Sequence, residues 1–171
     1  MPTIIDYRTS HFDTNKVADS GKFIGKSAYW RLYAIENMFR VVIHSVLSAQ
    51  INADWWSYVI SLDKNNQVQN MKTAYTNYPG GVTLPGSHDI YYLFLSDLNI
   101  IISGQRNQFI HVIPDIDQWI IKLEQVRFPR NLVGHMNWPS VADRHKIDKT
   151  YREARVLMRK FSDSGVAISI P

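Results

Sequence analysis

The chain of 171 residues contains no cysteine. That excludes a disulfide framework, a thiolate metal centre and a cysteine nucleophile, and it favours a reducing, cytoplasmic setting over a secreted one. Long hydrophobic runs are missing too. The most apolar stretch, Ile90 to Ile102, is too short to span a bilayer and carries Asp97, so no membrane partner is expected. Met1 to Tyr7 holds an aspartate where a secretion signal would have a basic start and an apolar core. Glycines are few and none forms a phosphate-binding loop; Gly80-Gly81 reads as a plain turn. The histidines show neither H-E-x-x-H nor another paired metal spacing. No metal and no cofactor are therefore expected.

What is present is a globular balance, with 45% hydrophobic and 20% charged residues in a chain long enough for one domain with a real core. Charge is unevenly placed. Lys122 to Lys160 holds ten Lys/Arg against four Asp/Glu, a net +6, whereas the whole chain carries +4. A basic region of this kind is the footprint expected for a polyanion, and its plainer reading is a solvated helix face. Within it Arg127, Lys149, Arg152 and Arg159 are the candidate RNA-binding residues.

Apolar spacing is helical almost throughout. Residues 1–21 lack a sustained period and read as an N-terminal arm, with a short strand at Thr3 to Asp6. From Lys22 to Gln50, Ile24, Ala28, Leu32, Ile35, Phe39, Val42 and Val46 recur at steps of four and three, one stripe on a long helix. Its other face carries Glu36 and Arg40, with His44 one turn on; the plain reading is an exposed ion pair and a satisfied histidine. A short helix with Trp55 and Trp56 follows over Ala53 to Leu62. Asp63 then suits the N-cap of a polar helix through Tyr75.

After a loop, Asp89 to Ser103 is long and apolar enough for one buried helix, with a strand as the alternative its β-rich composition leaves. Its Asp97 needs a basic partner, for which Arg40 and Arg130 are candidates. Pro114 opens a helix with Ile116, Ile120, Leu123 and Arg127 on one face, and Pro129 should kink or restart it. The last helix follows Trp138-Pro139-Ser140, with Ile147, Tyr151, Ala154, Met158 and Phe161 as its stripe. Residues 164–171 form a strand or a C-terminal tail. The expectation is all-α: a bundle of five or six helices, two of them long and antiparallel, without repeat or linker.

The chemistry concentrates in Arg127-Phe128-Pro129-Arg130-Asn131-Leu132-Val133-Gly134-His135. Arg130, Asn131 and His135 lie within about one and a half turns of 3.6 residues each. A guanidinium can hold a phosphate through its fixed fork, and an imidazole can move a proton near neutral pH. RNA carries its own nucleophile, the 2′-hydroxyl, so cleavage needs only proton transfer and charge stabilisation. Asn131 suits either the phosphate oxygens or the His135 ring. The plain alternative is a helix-ending arginine, a glycine C-cap and a surface histidine.

The order of these parts resembles the HEPN superfamily, small helical domains found in toxins, phage-defence proteins and RNA-processing nucleases. Arg130, Asn131 and His135 match its R-N-x3-H motif. Ala34-Ile35-Glu36-Asn37-Met38-Phe39-Arg40 is similar to its first-helix pattern, and Tyr92-Leu93-Phe94-Leu95-Ser96-Asp97-Leu98 looks like one branch. The resemblance covers residues 22–163. It implies a metal-independent endoribonuclease with Arg130, His135 and Asn131 catalytic, and Glu36, Arg40 and Asp97 as support behind them. It also implies a homodimer that brings two motifs to one cleft, with Trp119, Trp138 and Tyr151 as candidates for its apolar rim. A cognate antitoxin or regulatory protein is a further implied partner. Some relatives of this kind are silenced on a tyrosine two residues after the histidine; Asn137 stands there, so that route is not expected. The alternative is a non-catalytic HEPN-like module that binds RNA or a protein.

Overall fold

The alternating stripe of the first long helix is buried along its length: Ala28, Leu32, Ile35, Phe39, Val42 and Val46 all lie in the core, with Ile24 half-buried. The computed structural model describes residues 6–171. The strand expected at Thr3 to Asp6 lies, but for Asp6, outside them. Helix α1 (Thr14–Ile24) runs through a π-helical stretch (Gly25–Tyr29) into α2 (Trp30–Gln50). The expected arm is thus helical from Thr14. The Asp13 side chain accepts from the Asn15 N–H and so caps the start. Most of α1 is exposed, and Ser20 is its one buried residue.

Next come α3 (Trp55–Val59) and α4 (Leu62–Thr76), the latter capped by Ser61 rather than Asp63. The expected single helix from Asp89 to Ser103 is broken. A 3-10 turn (Asp89–Tyr92) is followed by extended Leu93 and Phe94 before α5 (Leu95–Gly104). The break frees the Leu93 carbonyl, which accepts from Arg40 Nη2 at 2.8 Å. After the short α6 (Arg106–Phe109), α7 (Ile116–Gly134) and α8 (Val141–Ser162) complete the bundle. Pro129 sits inside α7, buried, and neither ends nor restarts it; the ring forfeits one backbone bond and packs inward instead.

The chain is all-α, with no strand among the described residues. The residues after α8 form a tail docked on α2, where the Ser169 N–H donates to Ser45 Oγ at 2.8 Å. No described helix is long and apolar enough to cross a membrane. A further expectation of the fold, that the two long helices are antiparallel, is corrected. Contacts along α1–α2 and along α8 with its flanking residues advance together, from Phe23 with Trp138, through Arg31 with Asp148, to Ser45 with Ser169 in the tail. The two longest helices are therefore parallel. The antiparallel member is α7, which returns between them: Lys122 meets Glu153 on α8 at 2.8 Å and Trp119 packs on Phe39 of α2.

The end of α7 fixes where its C-terminal side chains point. Asn137 N–H bonds the Leu132 carbonyl and Met136 N–H bonds the Val133 carbonyl, both at 3.0 Å. This double closure requires a left-handed residue, and Met136 supplies it with φ 59°. Glycine is the residue that suits this position; a non-glycine residue there costs about 1–3 kcal/mol. Met136 is also 83% exposed, so its side chain contributes little packing. Met136→Gly is expected to raise stability by about 1 kcal/mol after the greater freedom of unfolded glycine is subtracted. A urea midpoint that stays put or falls would show that the methionine side chain outweighs its backbone strain.

Candidate functional site

Helix α2 buries few polar residues, and two of them are Glu36 and Arg40, each only 9% exposed. One turn apart, they form an ion pair within the helix. A guanidinium in such a place needs partners, and Arg40 finds them for both terminal nitrogens while its Nε is buried without one. Arg40 takes the Glu36 carboxylate, the Asn37 side-chain oxygen at 3.0 Å and the Leu93 carbonyl. The second oxygen of Glu36 then accepts from Arg130 Nε at 3.1 Å, across 94 residues of sequence. Arg130 lies 5.3 Å from the centre of the Phe94 ring. The carboxylate is thus shared by two arginines, one buried and one facing solvent.

These residues line a half-open cavity of about 500 Å³ together with Tyr29, Tyr33, Pro85, Tyr91 and Met136. Two irregular backbone features border it. The π-helical stretch ends at Tyr29, and the left-handed residue at the end of α7 is Met136. Both kinds of irregularity cluster at working sites. Arg130 spends only Nε on Glu36; its two terminal nitrogens make no hydrogen bond to the described protein. The site therefore offers an anion two donors in a fixed fork.

His135 and Asn131 stand elsewhere. They line a separate depression with Phe128, Pro129, Leu132, Asn137 and Asp143. Five residues along a helix turn the direction by about 140°, so Arg130 and His135 diverge. His135 is exposed at the C-cap of α7, and its ring makes no hydrogen bond to the described protein. Within one chain the structure joins Arg130 to Glu36 and Arg40, and leaves His135 and Asn131 on the next face.

Asp97 is not part of this site. Its carboxylate pairs with Lys64 Nζ at 3.0 Å and accepts from the Phe94 N–H at 3.0 Å. The N-terminal turn of α5 holds it on the α4 side, away from Arg40 and Arg130. Trp119 does not serve a dimer rim, because it is buried against Phe39; Trp138 stacks on Phe23 and Tyr151 packs on Trp30 within the chain.

The acids of the basic segment are all engaged, most of them by its own bases. Asp148 bridges Arg31 and Arg152, Glu153 takes Lys122, Glu124 takes Arg127, and Asp143 caps α8 at Ser140. Lys149 and Arg159 are exposed and make no ion pair among the described residues, while Arg152 and Arg127 are each partly neutralised.

A second cluster gives almost no sign of itself in the sequence. His44 and His88 meet edge to face at 4.7 Å, and His88 stacks on Trp55 at 5.3 Å. The only sequence signal is a histidine on a mostly apolar helix face. His44 Nδ1 accepts from the Trp55 indole N–H at 3.2 Å, and His88 Nδ1 accepts from the Ile90 N–H at 3.1 Å. Both rings are held neutral, with pKa values lowered by burial, and for His88 also by His44.

No protein-family model, curated protein or solved structure matches the chain.

The histidine pair makes stability depend on pH. Protonating either ring would remove an acceptor and charge a half-buried site. Between the lowered folded values and the ordinary 6.5, the unfolded chain binds more protons than the folded one. Stability therefore rises with pH across that window and is lost as pH falls through it. Urea midpoints at pH 7.5, 6.5 and 5.5 should show this decline. His88→Asn keeps a side-chain cap for Ile90 and should flatten it; an equally steep decline in that variant would place the titration elsewhere.

Proposed function

We propose that this chain is a metal-independent endoribonuclease of the HEPN type, of the kind found in toxins or phage-defence systems. The observation that carries the reading is the Glu36–Arg130 hydrogen bond. It joins two of the sequence patterns on which the HEPN resemblance rests, from helices far apart in the chain, in one cavity. Neither pattern requires the other as a neighbour. In this reading Glu36 and Arg40 are positioning residues that orient Arg130, and the free fork of Arg130 neutralises the phosphate.

The reaction needs no outside nucleophile. The 2′-hydroxyl oxygen attacks phosphorus as its proton passes to a base, and the bond from phosphorus to the 5′ oxygen breaks as that oxygen takes a proton. The products are a 2′,3′-cyclic phosphate and a free 5′-hydroxyl. His135 is the proton carrier, with Asn131 beside it. A single imidazole serves one of the two transfers, so the working unit is a homodimer in which a second copy supplies the other. The exposed apolar residues around His135, namely Phe128, Met136 and Val141, give that dimer a contact surface. Such exposed residues near the motif are also where an antitoxin or regulatory protein would act.

A second reading has its own observation. Because Arg130 and His135 open onto different faces of α7, a non-catalytic HEPN-like module that binds RNA or a protein fits a single chain as well. Mixed RNA incubated with pure protein in EDTA separates the two. Cleavage to 2′,3′-cyclic phosphate ends is expected, reduced at least a hundredfold in Arg130→Ala and His135→Ala with little change in melting temperature. Mixing these two variants should recover part of the activity through heterodimers. Activity that appears only with added Mg²⁺ or Mn²⁺, or that survives both substitutions, would remove the enzyme reading.

The face of α8 that carries Lys149, Arg152 and Arg159 is expected to hold the RNA backbone. Reversing all three charges should weaken RNA binding and make it less sensitive to salt. The log–log slope should fall by roughly 0.7 for each single-strand phosphate that is no longer neutralised. Unchanged affinity and slope would mean that this face is merely solvated.

A further inference from the structure

We propose that His44 and His88 form an acid-operated latch. With both rings neutral it fastens residues 85–93, one wall of the Arg130 cavity, to α2 and α3; a proton on either ring releases that segment while the rest of the bundle stays folded. The inference is independent of the ribonuclease reading, because it concerns how the wall is held and not what the cavity binds. It lies in the direction of two hydrogen bonds. His44 Nδ1 accepts from the Trp55 indole N–H at 3.2 Å, and His88 Nδ1 accepts from the Ile90 N–H at 3.1 Å. A neutral ring that accepts at Nδ1 carries its own proton on Nε2, so the next proton has only Nδ1 to occupy. It replaces the acceptor with a donor that faces another N–H. The bond is broken outright, and a charge is left in a half-buried aromatic cluster. The rings meet at 4.7 Å, so charging one disfavours charging the other and a single proton suffices.

The charged groups on the elements around the pair give an imidazolium little relief. Asp89 follows His88, but Lys72 and Gln69 on α4 already take its two oxygens at 2.6 and 2.8 Å. Asp54 ahead of α3 accepts from Ser57, and Lys64 and Asp97 spend their charges on each other. Arg40, one turn before His44 on α2, is itself a cation. Burial outweighs the attraction that the Trp55 face offers a cation, since both rings are held below the ordinary 6.5. The other four histidines, His11, His111, His135 and His145, are exposed.

The bonds lead to the cavity. His88 stacks on Trp55 at 5.3 Å, meets Trp56 edge-on at 5.7 Å and caps the 3-10 turn (Asp89–Tyr92). The Tyr91 ring of that turn rests against Gly86, where any side chain would collide with it, and the Arg40 guanidinium lies 5.9 Å from its centre. Pro85 and Tyr91 line the cavity beside Arg130, and the Leu93 carbonyl accepts from Arg40. Residues 77–85, which lead into this segment, are exposed and include Gly80 and Gly81 at φ of 88° and 72°. A segment entered from an open loop depends on its few fastenings, and His88 is the first that ties it to α2 and α3.

Hydrogen exchange of the full chain tests the latch, resolved by peptide at pH 7.5, 6.0 and 5.0, with each rate divided by the intrinsic rate at its pH. Peptides that cover residues 85–93 are expected to lose about tenfold in protection between pH 7.5 and 5.0, while those of α7 and α8 keep theirs. The size follows from linkage: each pKa unit between the latched and the released ring is a factor of about ten once the pH lies below both values. Asparagine places an oxygen near where Nδ1 stands and does not titrate. His44→Asn combined with His88→Asn should therefore keep residues 85–93 protected at pH 5.0. Three results overturn the proposal. One is equal protection of residues 85–93 at all three pH values. Another is a fall shared equally by α7 and α8, which is global unfolding. The third is a fall of the same size in the double variant. The comparison of regions is made within the parent chain, so it decides even if the double variant does not fold.

Discussion

A carboxylate with two guanidiniums around it holds the working end of this fold together. Arg40 lies in a helix face that is otherwise almost wholly apolar, and a charge so placed survives only if its partners are preorganised. Glu36 provides one, Asn37 a second and the Leu93 carbonyl a third. The last explains why an apolar segment that could run as one helix is broken before α5: a helical Leu93 would spend its carbonyl within the helix. Removing one member of a buried pair commonly costs about 3–5 kcal/mol, yet a well-packed apolar replacement of the pair is often as stable. Stability alone does not account for the arrangement. What it does that a leucine pair could not do is present an oxygen to Arg130 and hold α7 in one rotation against α2.

Much of the architecture is legible in the sequence, because burial in helices leaves a period. The stripe from Ile24 to Val46 and that from Ile147 to Phe161 both face the core. The errors share one physical origin: spacing reports the face a residue occupies, not what lies opposite. Lys64 belongs to a polar helix and gives no sign that it will meet Asp97. Chain order cannot tell that α7 returns between α2 and α8 and leaves them parallel. Helix α1 has only a short apolar edge, Val17, Phe23 and Ile24, in a polar segment, too few residues to set a sustained period. Of the candidate site, Glu36, Arg40 and Arg130 can be named one by one, but their meeting depends on the relative rotation of two helices, which neither helix encodes by itself.

Charge and aromatic surface are also better understood in three dimensions than by composition. A count from Lys122 to Lys160 gives a mixture in which acids offset part of the basic charge. In the fold Asp148 and Glu153 bridge helices, Asp143 caps α8 and Glu124 pairs with Arg127 on the surface, while Lys149 and Arg159 stay exposed without an ion pair among the described residues. The tyrosines divide in the same way. Tyr92 is buried in the core, whereas Tyr29 and Tyr33 stand open on the first long helix, immediately before the buried pair. Tyr29, the last residue of the π-helical stretch, and Tyr33 line the same cavity as Glu36, Arg40 and Arg130, so backbone irregularity, aromatic exposure and the charged cluster belong to one region.

The divergence of Arg130 and His135 sets the strongest constraint on how a reaction could proceed. A straight helix cannot aim residues five apart into one pocket, and α7 remains helical through Gly134. The Schellman closure at Met136 then fixes the imidazole outward, on an exposed apolar face. If both residues serve one phosphate, the missing convergence has to come from outside the chain. A twofold axis near the α7 terminus would bring the exposed faces together, bury Phe128 and Val141, and set a histidine of each copy toward the cleft of the other. The same axis would answer the shortage of proton carriers, since a self-complementary interface doubles every group it brings in. Under the proposed reaction, geometry and stoichiometry ask for the same partner, a second copy of this chain.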